Sequence, residues 1–202
     1  MEQRILNSAK DSFFNYGIKS ITMDDIAHHL GMSKKTLYVH FKDKNEIVML
    51  LIRKMLECQQ CVMDDKQETS ANAVDEIFKA VTELQDLLSN MNPMFINDLQ
   101  KYHPEAWKVF QDFRNNKLFE TIIANLERGI KEGYYRKDIR AGILARMRIE
   151  QIDMVFNPAV FSANKYSFST IMTELTEHFL YGICNLKGYK LINQYKQLNE
   201  EE

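Results

Sequence analysis

A short stretch of this chain concentrates cationic and hydroxyl side chains. Residues 33–44, SKKTLYVHFKDK, combine ammonium, hydroxyl, phenol and imidazole groups, and Asp43 is the only carboxylate among them. Lysine ammonium groups donate to guanine O6 and N7 or to phosphate oxygens, and hydroxyl groups donate to phosphates. The sequence contains no glycine-rich phosphate loop and no evident constellation of nucleophile and base. The chemistry indicated is therefore binding to a polyanion, and catalysis is not expected.

Two predicted helices position this stretch. Thr22 stands where a helix N-cap belongs, and Gly31 can adopt the left-handed conformation that ends the helix. Ser33 is a second N-cap, and Leu37 and Phe41 form the inward side of the helix that it begins. A short helix, a turn that contains glycine and a second short helix make a helix-turn-helix arrangement.

The outward side of the second helix follows from its geometry. At about 100° per residue, Lys35 and Val39 lie opposite the inward pair, and their neighbours are cationic or hydroxylic. Asp43 can cap a further helix, with Glu46 completing a capping box. A first helix that ends at Gly17 can cover the inward side.

This N-terminal segment resembles the DNA-binding domain of the TetR family of bacterial transcriptional repressors. The resemblance rests on three stretches, TMDDIA at 22–27, GMS at 31–33 and TLYVHFKDK at 36–44. It extends over nearly all of residues 1–50 without a gap. The family typically has a small residue before the threonine of the recognition helix, where this chain has Lys35.

The resemblance implies a homodimeric regulator, expected to be a repressor. Its two recognition helices would enter successive major grooves of a pseudo-palindromic operator on double-stranded DNA. Residues 33–41 form that helix. The candidates for base contacts are Lys34, Lys35 and Val39, and the candidates for phosphate contacts are Ser33, Thr36, Tyr38, His40 and Lys44.

The remaining chain is predicted to be helical as well. Seven glycines and three prolines are too few for a fold with many tight turns, and apolar residues recur at helical spacing. We expect an all-α chain with a three-helix DNA-binding head at 1–48, a long helix from Lys44, and a ligand-binding and dimerisation body at 49–202. By resemblance, helices at 138–157 and 167–186, with Asp138 and Ser167 at their starts, pair with their copies in the dimer. The acidic tail at 199–202 is expected to be solvated.

The charge of the chain is uneven. Its net charge is −2, whereas residues 1–54 hold nine Lys and Arg against six Asp and Glu. A basic head on an acidic body would steer DNA to one end. No segment resembles a signal peptide or approaches the length of a membrane span, and three cysteines suggest reduced thiols. We expect a cytoplasmic protein, nucleoid-associated when bound to DNA, with no membrane partner.

The body has an ample supply of flexible apolar side chains. Eleven Met and 12 Phe exceed what the head can use, and such residues fill cores or line adaptable pockets. The resemblance implies a small, largely apolar effector in the body. The candidates for its pocket are Trp107, Phe110, Phe113, Met147 and Met154.

Two further groups were weighed for chemistry. Cys58 and Cys61 have the spacing of a redox or zinc pair, but they fall inside a helix without a second pair, which favours buried or half-buried structural thiols. No metal or cofactor is predicted. Glu150 and Asp153 could line a pocket, pair with Arg146 or Arg148, or face solvent.

Two other functions are compatible with the sequence. One is a helical DNA-binding activator or architectural protein without an inducer. The other is a helical carrier or enzyme that retains a vestigial DNA-binding head.

Overall fold

The computed structural model describes residues 1–89, 91–157, 159–161 and 165–197, and they form an all-α fold. The prediction for the tail at 199–202 lies outside the described residues. Within the described ranges there is no β-strand, only an isolated bridge between Tyr135 and Cys184. No described helix is both long and apolar enough to cross a bilayer. The helices are α1 Glu2–Tyr16, α2 Met23–His29, α3 Lys34–His40, α4 Lys44–Thr69, α5 Ala73–Leu88, α6 Met94–Tyr102, α7 Pro104–Phe113, α8 Phe119–Glu132, α9 Ala141–Val155, α10 Phe168–Ile183 and α11 Leu186–Tyr195, with a π-helical turn at Arg114–Leu118 between α7 and α8.

The predicted N-caps of the first helices are present. The Thr22 hydroxyl accepts from the Asp25 amide, and the Asp25 carboxylate accepts from the Thr22 amide. The Ser33 hydroxyl accepts from the Thr36 amide at 3.1 Å. Gly31 has φ of +64°, so the turn between α2 and α3 requires the left-handed conformation that glycine adopts without strain.

The described chain divides into two compact units. The head unit comprises Met1–Gln59 and Asn90–Phe113, and the body unit comprises Gln60–Ser89 and Arg114–Glu202. Helices α6 and α7 therefore belong to the same unit as the helix-turn-helix. The functional domains predicted at 1–48 and 49–202 stay a prediction.

The head unit has one apolar core. Ile5, Phe13, Ile26, Leu37 and Ile47 from α1 to α4 are fully buried in it. Helix α6 adds Phe95 and Leu99 to the same core, and the rings of Phe14 and Phe95 meet edge to face at 5.2 Å. These contacts fix the outward helix α3 on a rigid support.

The body unit is organised around Tyr135. Its hydroxyl donates to the Ala73 carbonyl at 3.0 Å and to Asn125 Oδ1 at 3.1 Å. Burial raises the pKa of this phenol well above its usual value, so it stays a donor. A Cβ on Gly129 would lie 2.1 Å from the Tyr135 ring, which explains a glycine inside α8. Helices α5, α8, α9 and α10 enclose this core.

Several predicted boundaries in the body were wrong. Helix α9 begins after Arg140 and not after Asp138, whose exposed carboxylate pairs with Arg136 instead. Ser167 caps α10 as expected, but that helix ends at Ile183 and not at 186, and Asn185 caps a separate α11 that was not predicted. The π-helical turn after α7 was not foreseen, because the apolar spacing continues through it.

Candidate nucleic-acid interface

The helix α3 presents its predicted outward side to solvent. Leu37 is fully buried against the head core and Phe41 nearly so, which orients the helix. Val39, on the opposite side, is 76% exposed, and Lys35 and Thr36 are exposed beside it. Tyr38 is half exposed, as expected for a flanking position.

Lys35 and Val39 are free to meet a ligand. Among the described residues, the Lys35 ammonium takes part in no hydrogen bond or ion pair. An isolated, exposed valine on a cationic helix gives no stability to the fold, because its methyl groups stay in water. This is the arrangement expected of a side chain whose apolar partner is a ligand.

Lys34 differs from Lys35 in having a partner. Its ammonium forms an ion pair with the carboxylate of Asp24, in the first turn of α2. The sequence reading treated the two lysines alike, because Asp24 and Lys34 are ten positions apart and only the turn between the helices brings them together.

Lys44 lies in a more enclosed setting than the sequence reading assumed. Its ammonium donates to the carbonyls of Ile18 at 2.9 Å and Ile21 at 2.8 Å. Burial lowers its pKa from the usual value, and nearby Asp98 and Asp25 oppose this. Two of the three ammonium protons of Lys44 therefore bind backbone carbonyls in the turn between α1 and α2. Its assignment to a phosphate stays a prediction and rests on the remaining proton and the charge.

The other phosphate candidates stand at the ends of α3. The Ser33 hydroxyl accepts a hydrogen bond from the Thr36 amide, and its oxygen lies 2.9 Å from the Thr36 hydroxyl. His40 is half-buried in the last turn.

Helix α6 holds the turn before α2, a role that the sequence reading missed. The buried carboxylate of Asp98 accepts from the Lys19 amide at 2.8 Å. The Asn92 side-chain amide donates to the Asn15 carbonyl at 3.2 Å, and its backbone amide donates to the Phe14 carbonyl at 2.6 Å. The sequence offered one signal for this role: Asp98 is the single acid in the otherwise apolar or neutral segment MFINDLQ.

A cleft of about 540 Å³ opens beside the start of α4 in the head unit. His103 lies in its wall, with Nδ1 2.7 Å from Asn45 Oδ1. Burial lowers the pKa of His103, and the neighbouring Lys44 ammonium lowers it further. None of the five predicted ligand-pocket residues lines this cleft.

Those five residues occupy different surroundings. Trp107 and Phe110 stack at 5.2 Å between ring centroids and pack against the head core, while Phe113 is half-buried at the end of α7. Met147 and Met154, on α9 in the body unit, are exposed. Their assignment to an effector pocket stays a prediction.

The acids of α9 pair with an arginine that the sequence reading did not consider. Arg114, from the π-helical turn, binds Glu150 at 2.8 Å and also pairs with Asp153. The alternatives Arg146 and Arg148 were wrong, because Arg146 donates to Asn115 and buried Arg148 donates to Thr176 at 2.7 Å.

Burial shifts the pKa of two of these groups. It raises the pKa of Asp153 to about 6, although Arg114 opposes the shift. It lowers the pKa of Arg148 to about 10. A carboxyl with a pKa near 6 makes the Arg114 pair dependent on pH in the body unit.

The cysteines are free thiols. Cys58 and Cys61 are exposed on α4, which corrects the expectation of buried or half-buried thiols. Cys184 is buried, and burial raises its pKa to about 12. The described residues contain no group of three or more His, Cys, Asp and Glu side chains that could hold a metal ion.

The fold and the outward face of α3 define a helix-turn-helix regulator of transcription. Residues 5–49 match the family described as bacterial regulatory proteins, tetR family. This match supports the TetR family, as the sequence resemblance predicted.

Relatives that cover most of the chain agree with this assignment. The HTH-type transcriptional regulator YvaF of Bacillus subtilis (strain 168) is 24% identical over 184 residues, 91% of this chain and 95% of the relative. The repressor KstR2 of Mycobacterium tuberculosis is 26% identical over 145 residues, 70% of this chain and 72% of the relative. A regulator from Saccharomonospora viridis, crystallised with choline, has the same fold, with a TM-score of 0.76 at 22% identity over 91% of this chain and 97% of that one.

Proposed function

We propose that this TetR-family regulator is a homodimeric repressor that binds a pseudo-palindromic operator through α3. The observation that carries the proposal is the outward face of α3, where Lys35 and Val39 are exposed and without partners in the described structure. A two-fold dimer places two such helices in successive major grooves, about one helical turn or a modest multiple apart. The related KstR2 is a repressor, which supports the same mode here.

The roles of the α3 side chains follow from their chemistry. Lys35 donates to guanine O6 and N7, and the Val39 methyl groups contact a thymine methyl. The hydroxyls of Ser33, Thr36 and Tyr38 bind phosphates, which set the position of the helix without reading sequence.

Dimerisation through α9 and α10 is supported by an apolar stripe on α9, which is interrupted by Glu150, whose carboxylate is paired with Arg114. Ile143, Met147 and Met154 recur at intervals that place them within about 40° of one another around the helix. All three are exposed, and Ile143 is 61% exposed. Exposed apolar side chains on one face of a helix are favoured when a second copy covers them.

A small-molecule effector is the proposed regulator of operator binding. The Met and Phe supply of the chain supports a largely apolar ligand, and the crystallisation of a fold neighbour with choline supports a small organic effector. Such a ligand acts through its difference in affinity between two dimer geometries. A tenfold loss of operator affinity requires about 1.4 kcal/mol of coupling.

The experiment is in vitro selection from random duplexes, followed by anisotropy titrations of the selected operator. We expect a palindromic consensus, and Lys35→Ala should relax the preference at one base position per half-site by about 1–3 kcal/mol. Lys42→Ala, which removes a lysine that lies beyond α3, is the matched control and should keep the consensus. A wild-type protein that selects no sequence, or a Lys35→Ala variant with an unchanged consensus, would contradict the proposal.

A further inference from the structure

The first turns of α2 and α3 hold a pair of opposite charges at the proposed DNA-binding surface. The Lys34 ammonium, at the first residue of α3, is paired with the Asp24 carboxylate. The side chains are 61% and 53% exposed, so the pair lies in water and can be broken by a competing anion.

The neighbouring acid has another task. The Asp25 carboxylate accepts from the Thr22 amide at 2.8 Å and from the Thr22 hydroxyl at 2.6 Å, which closes the capping box. Asp24 makes no such contact with the backbone among the described residues, and its carboxylate pairs with Lys34 of the recognition helix. Of the two adjacent acids, one therefore builds α2 and the other neutralises a lysine of α3.

We infer that Asp24 lowers the affinity of DNA binding by competing with phosphates for Lys34. The inference rests on the proposed function and deepens it, since it takes Lys34 out of the predicted base contacts and assigns it to a phosphate. Lys35 and Val39 read bases freely, whereas Lys34 must leave Asp24 before it can touch DNA.

The energetics favour a modest but measurable effect. An ion pair between exposed side chains contributes little to stability, so a phosphate can replace the Asp24 carboxylate as the partner of Lys34. A lysine that newly neutralises a phosphate steepens the slope of log K against log salt by about 0.9, equivalent to a further 3.5-fold loss of affinity between 50 and 200 mM salt. This backbone term acts on every duplex. By suppressing it, Asp24 lowers the affinity for the operator and for non-specific DNA alike.

The test is a double-mutant cycle with Asp24→Asn, Lys34→Gln and the variant that carries both. Dissociation constants are measured for the selected operator and for a random duplex at four salt concentrations, and circular dichroism verifies that each variant is folded. Asp11→Asn is the matched control, because it removes an exposed acid of α1 and changes the net charge by the same amount.

Asp24→Asn should tighten binding to the operator and to the random duplex alike, by roughly threefold at 50 mM salt, and steepen the salt slope of each by about 0.9. The gain should vanish in the Lys34→Gln background, and Asp11→Asn should show no comparable gain. An equal gain with and without Lys34 would overturn the inference, because Asp24 would then act through its own charge alone. A wild-type protein that binds neither duplex would refute the proposed function itself. A wild-type protein that binds DNA, but whose gain from Asp24→Asn does not depend on Lys34, would refute only the inference.

Discussion

Replacing Lys44 by methionine tests how the recognition unit is held together. Methionine keeps most of the apolar stem and removes the ammonium that donates to the carbonyls of Ile18 and Ile21 at 2.9 and 2.8 Å. Hydrogen bonds from charged groups contribute about 1.5–3 kcal/mol each when well buried and nearer 1 kcal/mol when partly solvated. Because Lys44 is only half-buried, two such bonds amount to about 2 kcal/mol of unfolding free energy.

The assay is urea denaturation followed by tryptophan fluorescence. Trp107 is the only tryptophan in the chain and packs against the head core, so its emission reports unfolding of the head unit. Lys42→Met is the control, because Lys42 is an exposed lysine two residues away. Equal midpoints for the two variants, within a few tenths of a kcal/mol in unfolding free energy, would refute the reasoning.

The same variant tests the phosphate assignment of Lys44. If the remaining ammonium proton of Lys44 donates to a phosphate, Lys44→Met should make the slope of log K against log salt for operator binding shallower by about 0.9. A loss of stability with an unchanged salt slope would show that Lys44 acts only inside the protein.

Two further predictions concern pH and assembly. The pKa of His103 lies below its usual 6.5, so the unfolded chain takes up the proton first as pH falls, and the unfolding free energy of the head unit should be lower at pH 5.5 than at pH 7.5. His103→Gln should reduce this difference in urea titrations, and an unaltered difference would contradict the role of His103. Ile143→Lys places a charge in the apolar stripe of α9 and should convert a dimer to a monomer in analytical ultracentrifugation at micromolar concentration, while exposed Lys165→Ala should not. A dimer that persists in Ile143→Lys would exclude this face as the interface.

Local signals in the sequence sufficed for the helix-turn-helix. Thr22 and Ser33 cap their helices, and Gly31 has the positive φ that the turn requires. The spacing of Leu37 and Phe41 placed Lys35 and Val39 on the outside, where the structure has them. These features succeed because caps, turns and helical faces depend on residues within about four positions of one another.

The sequence predicted helix boundaries less well in the body unit, where the N-cap of a helix was ambiguous. Asp138 is of a residue type that caps helices well. In the structure its carboxylate pairs with Arg136, and α9 begins after Arg140. The π-helical turn that carries Arg114 leaves no mark in the apolar spacing. An extra residue in a helical turn is tolerated when side chains such as Arg114 gain partners from a neighbouring helix, and sequence spacing does not record those partners.

What the sequence determined by itself was an all-α chain with a TetR-like recognition helix and the identity of its outward residues. The tertiary structure decided which of its charges are available. It pairs Lys34 with Asp24, binds Lys44 to two carbonyls, and brings Asp98 from α6 to the Lys19 amide. Helical periodicity describes which side of a helix a residue occupies, whereas the partner of a charge depends on residues distant in the chain that only the packed core brings within hydrogen-bonding distance.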